Sequence, residues 1–278
     1  MVALVVRTLL VVGGSGFLGS HVVRAARESG WRVHATSTSG RPAGDVPWHR
    51  LDLRDCTAVT RVLDAVAPDA VVNAGAALRG GAEADRTVNA DGAVRLATAL
   101  TAGPARLVHV STDCVHGGRE EPYLDDEPPT PVAWSYAEAK AAAEEAILAL
   151  GSDAVVVRPA PVLGEPGGDR GPHEHFDASY FTDMVRMPVV VTDLAAILVE
   201  LAETAHRGTM HAAGPQEVDR WRLARAIARQ AGADPEEVRA TSLASSGLAR
   251  PGVLRLDTAR ARTLRTRLRA VGEILPLE

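Results

Sequence analysis

The sequence has only two cysteines, Cys56 and Cys114, among its 278 residues. Two well-separated cysteines do not build a disulfide framework, so we expect a reducing, cytoplasmic compartment. The chain has no apolar run of the roughly 20 residues that a membrane span needs. Its formal net charge of -5 gives no reason to expect a nucleic-acid or anionic-membrane partner.

Short apolar runs alternate with helical segments over residues 1–158. We expect strands at residues 8–12, 31–36, 69–72, 105–110 and 154–158, and helices at residues 17–29, 57–67, 87–100 and 136–150. This alternation predicts an α/β fold of the Rossmann type, in which helices cover both faces of a doubly wound parallel sheet. Residues 1–158 are therefore expected to form the first domain.

The pattern changes after residue 158, and residues 159–278 are predicted to form a smaller C-terminal α/β region, mainly for substrate binding. Residues 164–172 hold four glycines and two prolines and are expected to form a mobile loop. Helices are predicted at residues 192–204, 220–231 and 257–269, and the arginines of the last helix are interpreted as an exposed face. A short strand at residues 208–212 is expected to return to the first sheet.

A glycine-rich loop follows the first predicted strand and precedes the first predicted helix. Gly13, Gly16 and Gly19 have the spacing of a dinucleotide-binding loop, in which glycines permit a tight turn and a close approach to phosphates. The alternative, a glycine-rich turn without a ligand, does not explain the strand–loop–helix context. We expect the loop to bind the cofactor together with its neighbours Ser15, Phe17 and Leu18.

The end of the second predicted strand indicates which nicotinamide cofactor is used. NAD sites place an Asp or Glu there to hold the ribose 2′-hydroxyl, and this chain has none. Ser37 and Thr38 can instead hydrogen-bond a 2′-phosphate, and Arg41 can pair with it. The sequence therefore predicts NADP (NADPH), with a solvated loop charge as the alternative role of Arg41.

Two further segments are expected along the cofactor. Asp52 follows a further presumed strand, which precedes the one at residues 69–72. It could contact the adenine edge or lie at the start of a helix, for which Asp55 is the better N-cap. Asn73, Ala74 and Gly75 follow the strand predicted at residues 69–72, where small residues let a cofactor lie against the backbone. A plain tight turn is the alternative for this second segment.

A tyrosine and a lysine, Tyr136 and Lys140, are spaced one helical turn apart, so their side chains point the same way. A free tyrosine has a pKa of about 10, and a nearby ammonium stabilises the phenolate and favours proton transfer near neutral pH. Such a pair alone is more often an exposed helix face. The glycine loop and the hydroxyl cluster Ser111–Thr112 upstream favour a catalytic role instead.

Together these motifs resemble the extended short-chain dehydrogenase/reductases, and within them most closely the dTDP-4-dehydrorhamnose reductase group. Hallmarks of that group are residues 110–115 and the late segment that contains Arg250, Pro251, Leu256 and Asp257. The resemblance implies that Thr112 polarises a substrate carbonyl, that Tyr136 supplies the proton and that Lys140 also holds the nicotinamide ribose. It also implies cofactor contacts from Leu53, Asn89, Val110 and Pro159. The alternative for Asn89 is a helix residue satisfied by backbone.

The sequence departs from related enzymes around Thr112. Sugar-nucleotide dehydratases of this superfamily carry an Asp-Glu pair after the catalytic threonine, whereas here Thr112 is followed by Asp113 and Cys114. The missing Glu favours simple reduction over dehydration. Cys114 and His116 replace aromatic residues that are common in the reductase group, and we expect both to line the substrate pocket with Ala76.

Further downstream, His173 and His175 supply only two potential zinc ligands, fewer than the three or four a zinc site needs, so we predict no metal. A solvated loop is the first interpretation of this segment. Contact with the substrate is the second, in which His173 and Arg220 would approach a nucleotide phosphate.

The sequence predicts an NADPH-dependent reductase of a 4-keto-deoxysugar nucleotide of the dTDP-linked kind. The sugar nucleotide is its expected small-molecule partner, and a homodimer is the oligomeric state considered. One alternative is a reductase of a ketone that is not nucleotide-linked, which the changes at Cys114 and His116 would suit. Another is a non-catalytic, NADP-binding regulatory subunit similar to the beta subunit of methionine adenosyltransferase. The presence of Thr112, Tyr136 and Lys140 argues against that last alternative.

Overall fold

The structure, a computed structural model, describes residues 6–39, 46–78 and 80–277. The chain forms two compact units that interleave along the sequence. The first unit comprises Met1–Ser111, Ala139–Val157 and Ala195–Gly208, and the second comprises Thr112–Glu138, Arg158–Leu194 and Thr209–Glu278. The sequence instead predicted a single boundary after residue 158, with only the strand near residues 208–212 returning.

A seven-stranded sheet carries the Rossmann-type fold. Its strands are β1 (Thr8–Val12), β2 (Arg32–Ser37), β3 (Trp48–Arg50), β4 (Ala70–Asn73), β5 (Arg106–Val110), β6 (Ala154–Pro159) and β11 (Gly208–Ala212). They follow the order β11-β6-β5-β4-β1-β2-β3, and the pairs from β6 to β3 are parallel. The chain order reverses beside β1, as in doubly wound sheets. The predicted fold class and the predicted strand at residues 208–212 are therefore confirmed.

The helices connect these strands. They are α1 (Phe17–Glu28), α2 (Cys56–Val66), α3 (Gly81–Ala84), α4 (Ala93–Leu100), α5 (Ser135–Ala149), α6 (Val191–Leu201) and α7 (Arg220–Gln230), with a π-helical segment at Asp85–Gly92. Within the described part of the chain, no helix is long and apolar enough to cross a membrane.

The core of the first unit follows from the sequence pattern. All five residues of β1 are buried, as expected for a strand covered on both faces. Helix α2 packs Val59, Val62 and Val66 into a hydrophobic cluster that also contains Leu10 and Val12 of β1. Asp55 accepts a hydrogen bond from the backbone N–H of Ala58 at 3.0 Å, which confirms its predicted role as the N-cap of α2.

The second unit contains short strands in three two-stranded pairs. Its strands are β7 (Val162–Leu163), β8 (Ser179–Phe181), β9 (Val185–Arg186), β10 (Val189–Val190), β12 (Val218–Asp219) and β13 (Arg239–Thr241). β10 pairs with β7 and β13 with β8 in parallel, whereas β12 pairs with β9 antiparallel. Helix α7 buries Leu223, Ala226 and Ile227 in a cluster with Leu163.

The helix predicted at residues 257–269 is wrong, because the structure has only a 3₁₀ turn at Ala261–Thr263 there. The arginines of this segment make tertiary ion pairs. Arg260 pairs with Asp126 at 2.7 Å, and Arg269 pairs with Asp193 at 2.8 Å. Helix propensity is a weak preference, and these contacts override it.

One buried arginine joins three segments of the first unit. Arg106 on β5 donates from Nε to the carbonyl of Leu201 at 2.7 Å and from Nη1 to the carboxylate of Asp153 at 2.6 Å. Its Nη2 donates to the carbonyl of His206. The side chain thereby satisfies a backbone carbonyl at the C-terminal end of α6 and another in the segment that follows the helix.

Arg106→Met is expected to lower the free energy of unfolding by about 2–4 kcal/mol, because it leaves the carbonyls of Leu201 and His206 without their donor and removes one of the two arginine partners of Asp153. Urea denaturation of the purified protein measures this loss. Arg207→Met is the matched control, since Arg207 is exposed and pairs with the same Asp153 at 3.1 Å. The control should cost less than about 1 kcal/mol, and equal losses in the two variants would contradict the assignment.

Candidate active site

The glycine loop after β1 has no room for a side chain at Gly13 or Gly19. Gly13 has φ of +76°, and a Cβ built on it would lie 2.7 Å from the Cα of Gly75. A Cβ on Gly19 would collide with the carbonyl oxygen of Gly13. Gly16 is the N-cap of α1 and supplies no side-chain cap. The first amides of α1 are therefore left for an external acceptor, as in sites that bind phosphates.

The end of β2 presents hydroxyls next to this loop. Thr36 accepts a hydrogen bond from the backbone N–H of Gly13 at 3.1 Å, which fixes the start of the loop. Ser37 is buried and accepts from the N–H of Ser39 at 3.3 Å, whereas Thr38 is exposed. Arg41, the predicted partner of a 2′-phosphate, lies outside the described residues.

The segment after β4 is held by two asparagines. Asn73 accepts from the N–H of Gly75 at 3.2 Å, which closes a tight turn over Ala74. Asn89 binds both backbone groups of Ala77, accepting from its N–H at 2.8 Å and donating to its carbonyl at 2.9 Å. The structure thus shows Asn89 satisfied by backbone, the alternative that the sequence left open. Ala76 between them is exposed.

Asp52 and Leu53, predicted to lie along the cofactor, have defined contacts of their own. The carboxylate of Asp52 lies 2.6 Å from Nη2 of Arg54, and the hydrogen bonds from Arg54 lower the pKa of Asp52. Leu53 is buried, and its carbonyl accepts from Arg95 at 2.5 Å. Val110 and Pro159, at the ends of β5 and β6, are buried as well.

Lys140 is the one lysine among the 278 residues of the chain, against 29 arginines. Its side chain is buried on α5, and Nζ donates a hydrogen bond to the carbonyl of Val110 at 2.9 Å. Burial lowers the pKa of Lys140 to about 8, while the nearby Glu144 opposes the shift. The structure thus provides an ammonium whose proton is held weakly enough to titrate close to neutral pH.

Tyr136 lies one turn earlier on the same helix, as the sequence predicted. Its ring is half-buried and lies 5.1 Å from the ring of Trp134, at an interplanar angle of 39°. The guanidinium of Arg250 lies 3.9 Å from the centre of the Trp134 ring. The sequence interpretation did not include Trp134 or Arg250 in the site. The sequence feature that could have indicated Trp134 is its position, since it is a large aromatic residue two positions before Tyr136.

Thr112, the third predicted catalytic residue, starts a 3₁₀ turn at Asp113–Val115. Its hydroxyl accepts from the N–H of Cys114 and donates to the carboxyl of Asp113, both at 3.2 Å. Burial raises the pKa of Asp113, and Arg186, with Nε at 3.6 Å, opposes that shift. Asp113 therefore orients the hydroxyl of Thr112 and compensates part of the positive charge of the buried Arg186.

Cys114 is partly buried, and its thiol donates to the carboxyl of Asp113 at 3.3 Å. Burial raises the pKa of Cys114, so the sulfur stays a neutral thiol at physiological pH. The side chain packs against the apolar cluster of Tyr123 and Leu254.

His116 has no exposed surface, contrary to its predicted place in the substrate pocket. Its ring stacks on Tyr123 at 4.1 Å, and its Nε2 lies 3.2 Å from Nε2 of His211. Burial and the charge of Arg158 lower its pKa to about 3. A neutral imidazole in these contacts is part of the core of the second unit, so we correct its role to a structural one.

Arg220 and His173 meet in the second unit. Nη2 of Arg220 donates to the carbonyl of His173 at 3.1 Å, and the His173 side chain is exposed. Nη1 of Arg220 is buried and has no hydrogen-bond partner in the part of the chain that the structure describes. Desolvation lowers the pKa of this guanidinium. An unsatisfied buried donor keeps Arg220 a candidate for binding an external acceptor.

A parallel sheet with this glycine loop, and with a tyrosine and a buried lysine one turn apart on a helix, is the architecture of the extended short-chain dehydrogenase/reductases. That class includes NAD(P)-dependent oxidoreductases, and this chain is one of them, as its relatives named as reductases indicate. Its residues 7–273 match the family described as the RmlD substrate binding domain, and the chain belongs to that family.

Named relatives agree with this assignment. The chain is 36% identical over 256 residues to dTDP-4-dehydrorhamnose reductase of Mycobacterium tuberculosis, covering 85% of this chain and 79% of the relative. It is 27% identical over 279 residues to methionine adenosyltransferase 2 subunit beta of Bos taurus, covering 93% and 82%. The crystal structure of dTDP-4-dehydrorhamnose reductase from Bacillus anthracis in complex with NADP has the same fold. Its TM-score is 0.81, its identity 20%, and the match covers 97% of each chain.

Gly19→Ala is expected to destabilise the protein by about 1–3 kcal/mol, because the new methyl collides with the Gly13 carbonyl. In an ordinary helix the same change is stabilising by up to about 1 kcal/mol. The sign of the change in stability therefore shows whether the methyl group collides with the loop. Thermal unfolding measures the difference. Gly103→Ala is the control, since nothing lies within 4 Å of a Cβ built there. A stabilised Gly19→Ala variant would show that the loop is not closely packed.

Proposed function

We propose that the protein reduces the keto group of a 4-keto-deoxysugar nucleotide with NADPH, and that the sugar is dTDP-linked. The observation that carries the proposal is the buried ammonium of Lys140, bound to the Val110 carbonyl on the helix that also carries Tyr136. The relative from Mycobacterium tuberculosis, named dTDP-4-dehydrorhamnose reductase, supports the substrate class. We further propose a cytoplasmic location.

The residues present fit NADP. Close packing at Gly13 and Gly19 leaves no room for side chains there, so backbone amides of the loop would meet the pyrophosphate. Thr38 and Ser39 place exposed hydroxyls at the end of β2, and the described residues 32–39 contain no carboxylate that would repel a 2′-phosphate. Gly13, Ser15, Gly16 and the first turn of α1 would hold the pyrophosphate, and Lys140 the nicotinamide ribose.

When bound, NADPH supplies the hydride that forms the new C–H bond at the carbonyl carbon. Thr112 donates a hydrogen bond to the carbonyl oxygen. Its hydroxyl hydrogen turns away from Asp113 by rotation about the Cβ–Oγ bond, without movement of a heavy atom. Tyr136 transfers its phenol proton to the same oxygen as negative charge develops there, and the ammonium of Lys140 stabilises the phenolate that remains.

A non-catalytic role is the second candidate, since the chain also resembles methionine adenosyltransferase 2 subunit beta over most of its length. A protein of that kind would bind NADP without turning over a ketone. The buried position of Lys140 and the hydrogen-bonded position of Thr112 favour the enzyme. Oxidation of NADPH with a panel of dTDP-4-keto sugars separates the two candidates.

Tyr136→Phe is expected to lower kcat by about 10²- to 10⁴-fold, because the variant has no proton to give the alkoxide. The affinity for NADPH, measured by fluorescence titration, should stay within a few-fold. Tyr180→Phe is the matched control, since Tyr180 is buried against α7 in the second unit. Full activity of Tyr136→Phe would exclude the proposed proton donor.

The affinity for NADPH is expected to weaken above about pH 8, since the pKa of Lys140 is lowered to about 8 and deprotonation removes its charge. Below that pH the ammonium is intact and binding should be independent of pH. Loss of a charged hydrogen bond, about 1.5–3 kcal/mol, predicts a roughly tenfold to hundredfold weaker affinity once the amine is fully deprotonated. Titration in the Tyr136→Phe background removes the phenol from the profile.

Lys140→Met provides the reference for this pH dependence. Its affinity for NADPH should be weak at pH 7 and should not change between pH 7 and pH 9.5. If the Tyr136→Phe protein also shows a flat profile up to pH 9.5, Lys140 does not contact the cofactor through its ammonium.

A further inference from the structure

The turn that carries Thr112 ends at His116. The backbone N–H of His116 donates to the carbonyl of Asp113 at 3.1 Å and so closes the 3₁₀ turn. At the other end of the turn, the carboxyl of Asp113 accepts from the hydroxyl of Thr112 at 3.2 Å. The ring of His116 has no exposed surface. Displacement of this ring would therefore also displace the hydroxyl that the proposed reduction uses.

His116 contacts a second buried histidine, His211, which lies on β11. The two Nε2 atoms are 3.2 Å apart, and the rings are inclined at 73°. Nδ1 of His211 lies 3.0 Å from the carbonyl oxygen of Asp257, which can only accept a hydrogen bond. We therefore assign the proton of His211 to Nδ1. Its Nε2 is then an acceptor, and the N–H at Nε2 of His116 is the donor.

The pair has places for two ring protons but not for a third. One hydrogen lies between the two Nε2 atoms and one at Nδ1 of His211, so a third must lie at Nδ1 of His116, whichever ring carries the charge. That nitrogen is buried and has no hydrogen-bond partner among the residues that the structure describes. A bare acceptor is tolerated in such a place, whereas an unpaired cationic donor is costly.

Two arginines place positive charge beside the pair. Nη1 of Arg158 lies 3.4 Å from Nε2 of His116 and already donates to two backbone carbonyls, at 3.0 Å and 3.2 Å. The guanidinium of Arg119 lies 4.0 Å from the centre of the Tyr123 ring, on which His116 itself stacks. Burial, followed by the charge of Arg158, lowers the pKa of His116 to about 3. Burial also lowers the pKa of His211 to about 4.

The carboxylates that face the pair all have other partners. The nearest belongs to Asp125, with Oδ1 at 3.6 Å from Nδ1 of His211. Asp125 and Asp126 both pair with Arg260, Glu127 pairs with Arg119, and Asp257 accepts from the N–H of Ala259. The surroundings therefore favour two neutral rings.

Acid acts on a displaced ring, not on the packed one. A solvated imidazole has a pKa of about 6.5, so below that pH a displaced ring takes up a proton that the packed ring excludes. The packed arrangement is fully favoured above about pH 6.5 and is progressively lost as the pH falls towards 4. Between pH 6.5 and pH 5 the ratio of displaced to packed forms rises by about 30-fold if one histidine is charged, and by about 1,000-fold if both are.

We propose that His116, through its hydrogen bond to His211, is a positioning residue for Thr112, and that acid releases the turn which carries this threonine. The inference rests on the proposed reductase, in which Thr112 polarises the carbonyl. The enzyme then loses kcat below about pH 6.5 before its fold is lost. Cys114, which lies inside the turn, becomes accessible over the same pH range.

Labelling of the Cys114 thiol tests the release without turnover. The protein used is Cys56→Ser, because Cys56 is the other cysteine of the chain and is exposed. A pyridyl disulfide reagent reacts with thiols in mildly acidic solution, and division by its rate with an unstructured cysteine peptide removes the titration of the thiol itself. The protection of Cys114 should fall by about 100- to 1,000-fold between pH 6.5 and pH 5.

His116→Gln is the decisive variant, since its amide can donate to His211 from nearly the same place and takes up no proton. The protection of Cys114 should then fall by no more than about 30-fold, because only His211 is left to be charged. His116→Phe also takes up no proton, should show the same limit, and serves if His116→Gln does not fold. His34→Gln is the matched control, since His34 makes a similar contact with His49 at 2.9 Å in the first unit. It should keep the wild-type fall in protection.

The pH dependence of kcat is the second readout. With a dTDP-4-keto-6-deoxyhexose at pH 7.5, kcat of His116→Gln should lie within about threefold of the wild type, and kcat of His116→Phe should be about tenfold lower, because phenylalanine cannot donate to His211. KM should change little in either variant. Below pH 6.5, kcat of the wild type should fall more steeply than that of either variant. Asp113 is present in all three proteins, so its own titration does not affect the comparison.

The two proposals fail in different ways. If Cys114 loses protection equally in the wild type, His116→Gln and His116→Phe, the role of His116 is overturned and the reductase stands on its own kinetics. Loss of the helical circular dichroism signal over the same pH range would also overturn it, because the protein would then unfold as a whole. If no ketone is reduced, the reductase fails, and the labelling still decides whether the histidine pair holds the turn.

Discussion

The hydrogen bond from the Lys140 ammonium to the Val110 carbonyl is the contact on which the proposed chemistry depends. It joins α5 to the end of β5 and fixes the helix on which Tyr136 lies one turn earlier. The chain uses arginine at 29 positions and lysine at this one. Arginine stays charged at any physiological pH and needs room for a planar fork, whereas a buried lysine is compact and titrates readily. The one lysine therefore stands where a compact, titratable cation is required.

Around Thr112 the second unit has buried ionic contacts as well as apolar packing. Asp113 faces Arg186 at 3.6 Å, and Arg186 also donates to two carbonyls of the segment after Arg250. Buried ion pairs contribute little net stability, because desolvation offsets most of the attraction between the charges. They do impose geometry, since each guanidinium donor must meet its acceptor. We infer that this network fixes the position of Thr112 relative to Pro251 and Gly252, at some cost in stability.

Local features of the chain were predictable from the sequence. The glycine loop, the buried strands and the Tyr136–Lys140 spacing each reside in a short window, where periodicity and steric rules act directly. The prediction of a helix at residues 257–269 was wrong, because Arg260 and Arg269 pair with acidic residues more than 70 positions away in the sequence. The prediction that His116 lines the substrate pocket was wrong for a related reason, since the burial of its ring depends on contacts with Tyr123 and His211. A side chain's environment is a tertiary property that a local window does not contain.

The same distinction separates the reaction from the substrate. Reduction of a carbonyl needs a proton donor, a cation beside it and a polarising hydroxyl, and helix geometry alone brings the first two together. Recognition of what is attached to the carbonyl depends on residues that are distant in sequence and meet only in the folded protein. A protein can therefore keep every local motif of a reductase while its substrate is decided elsewhere in the chain.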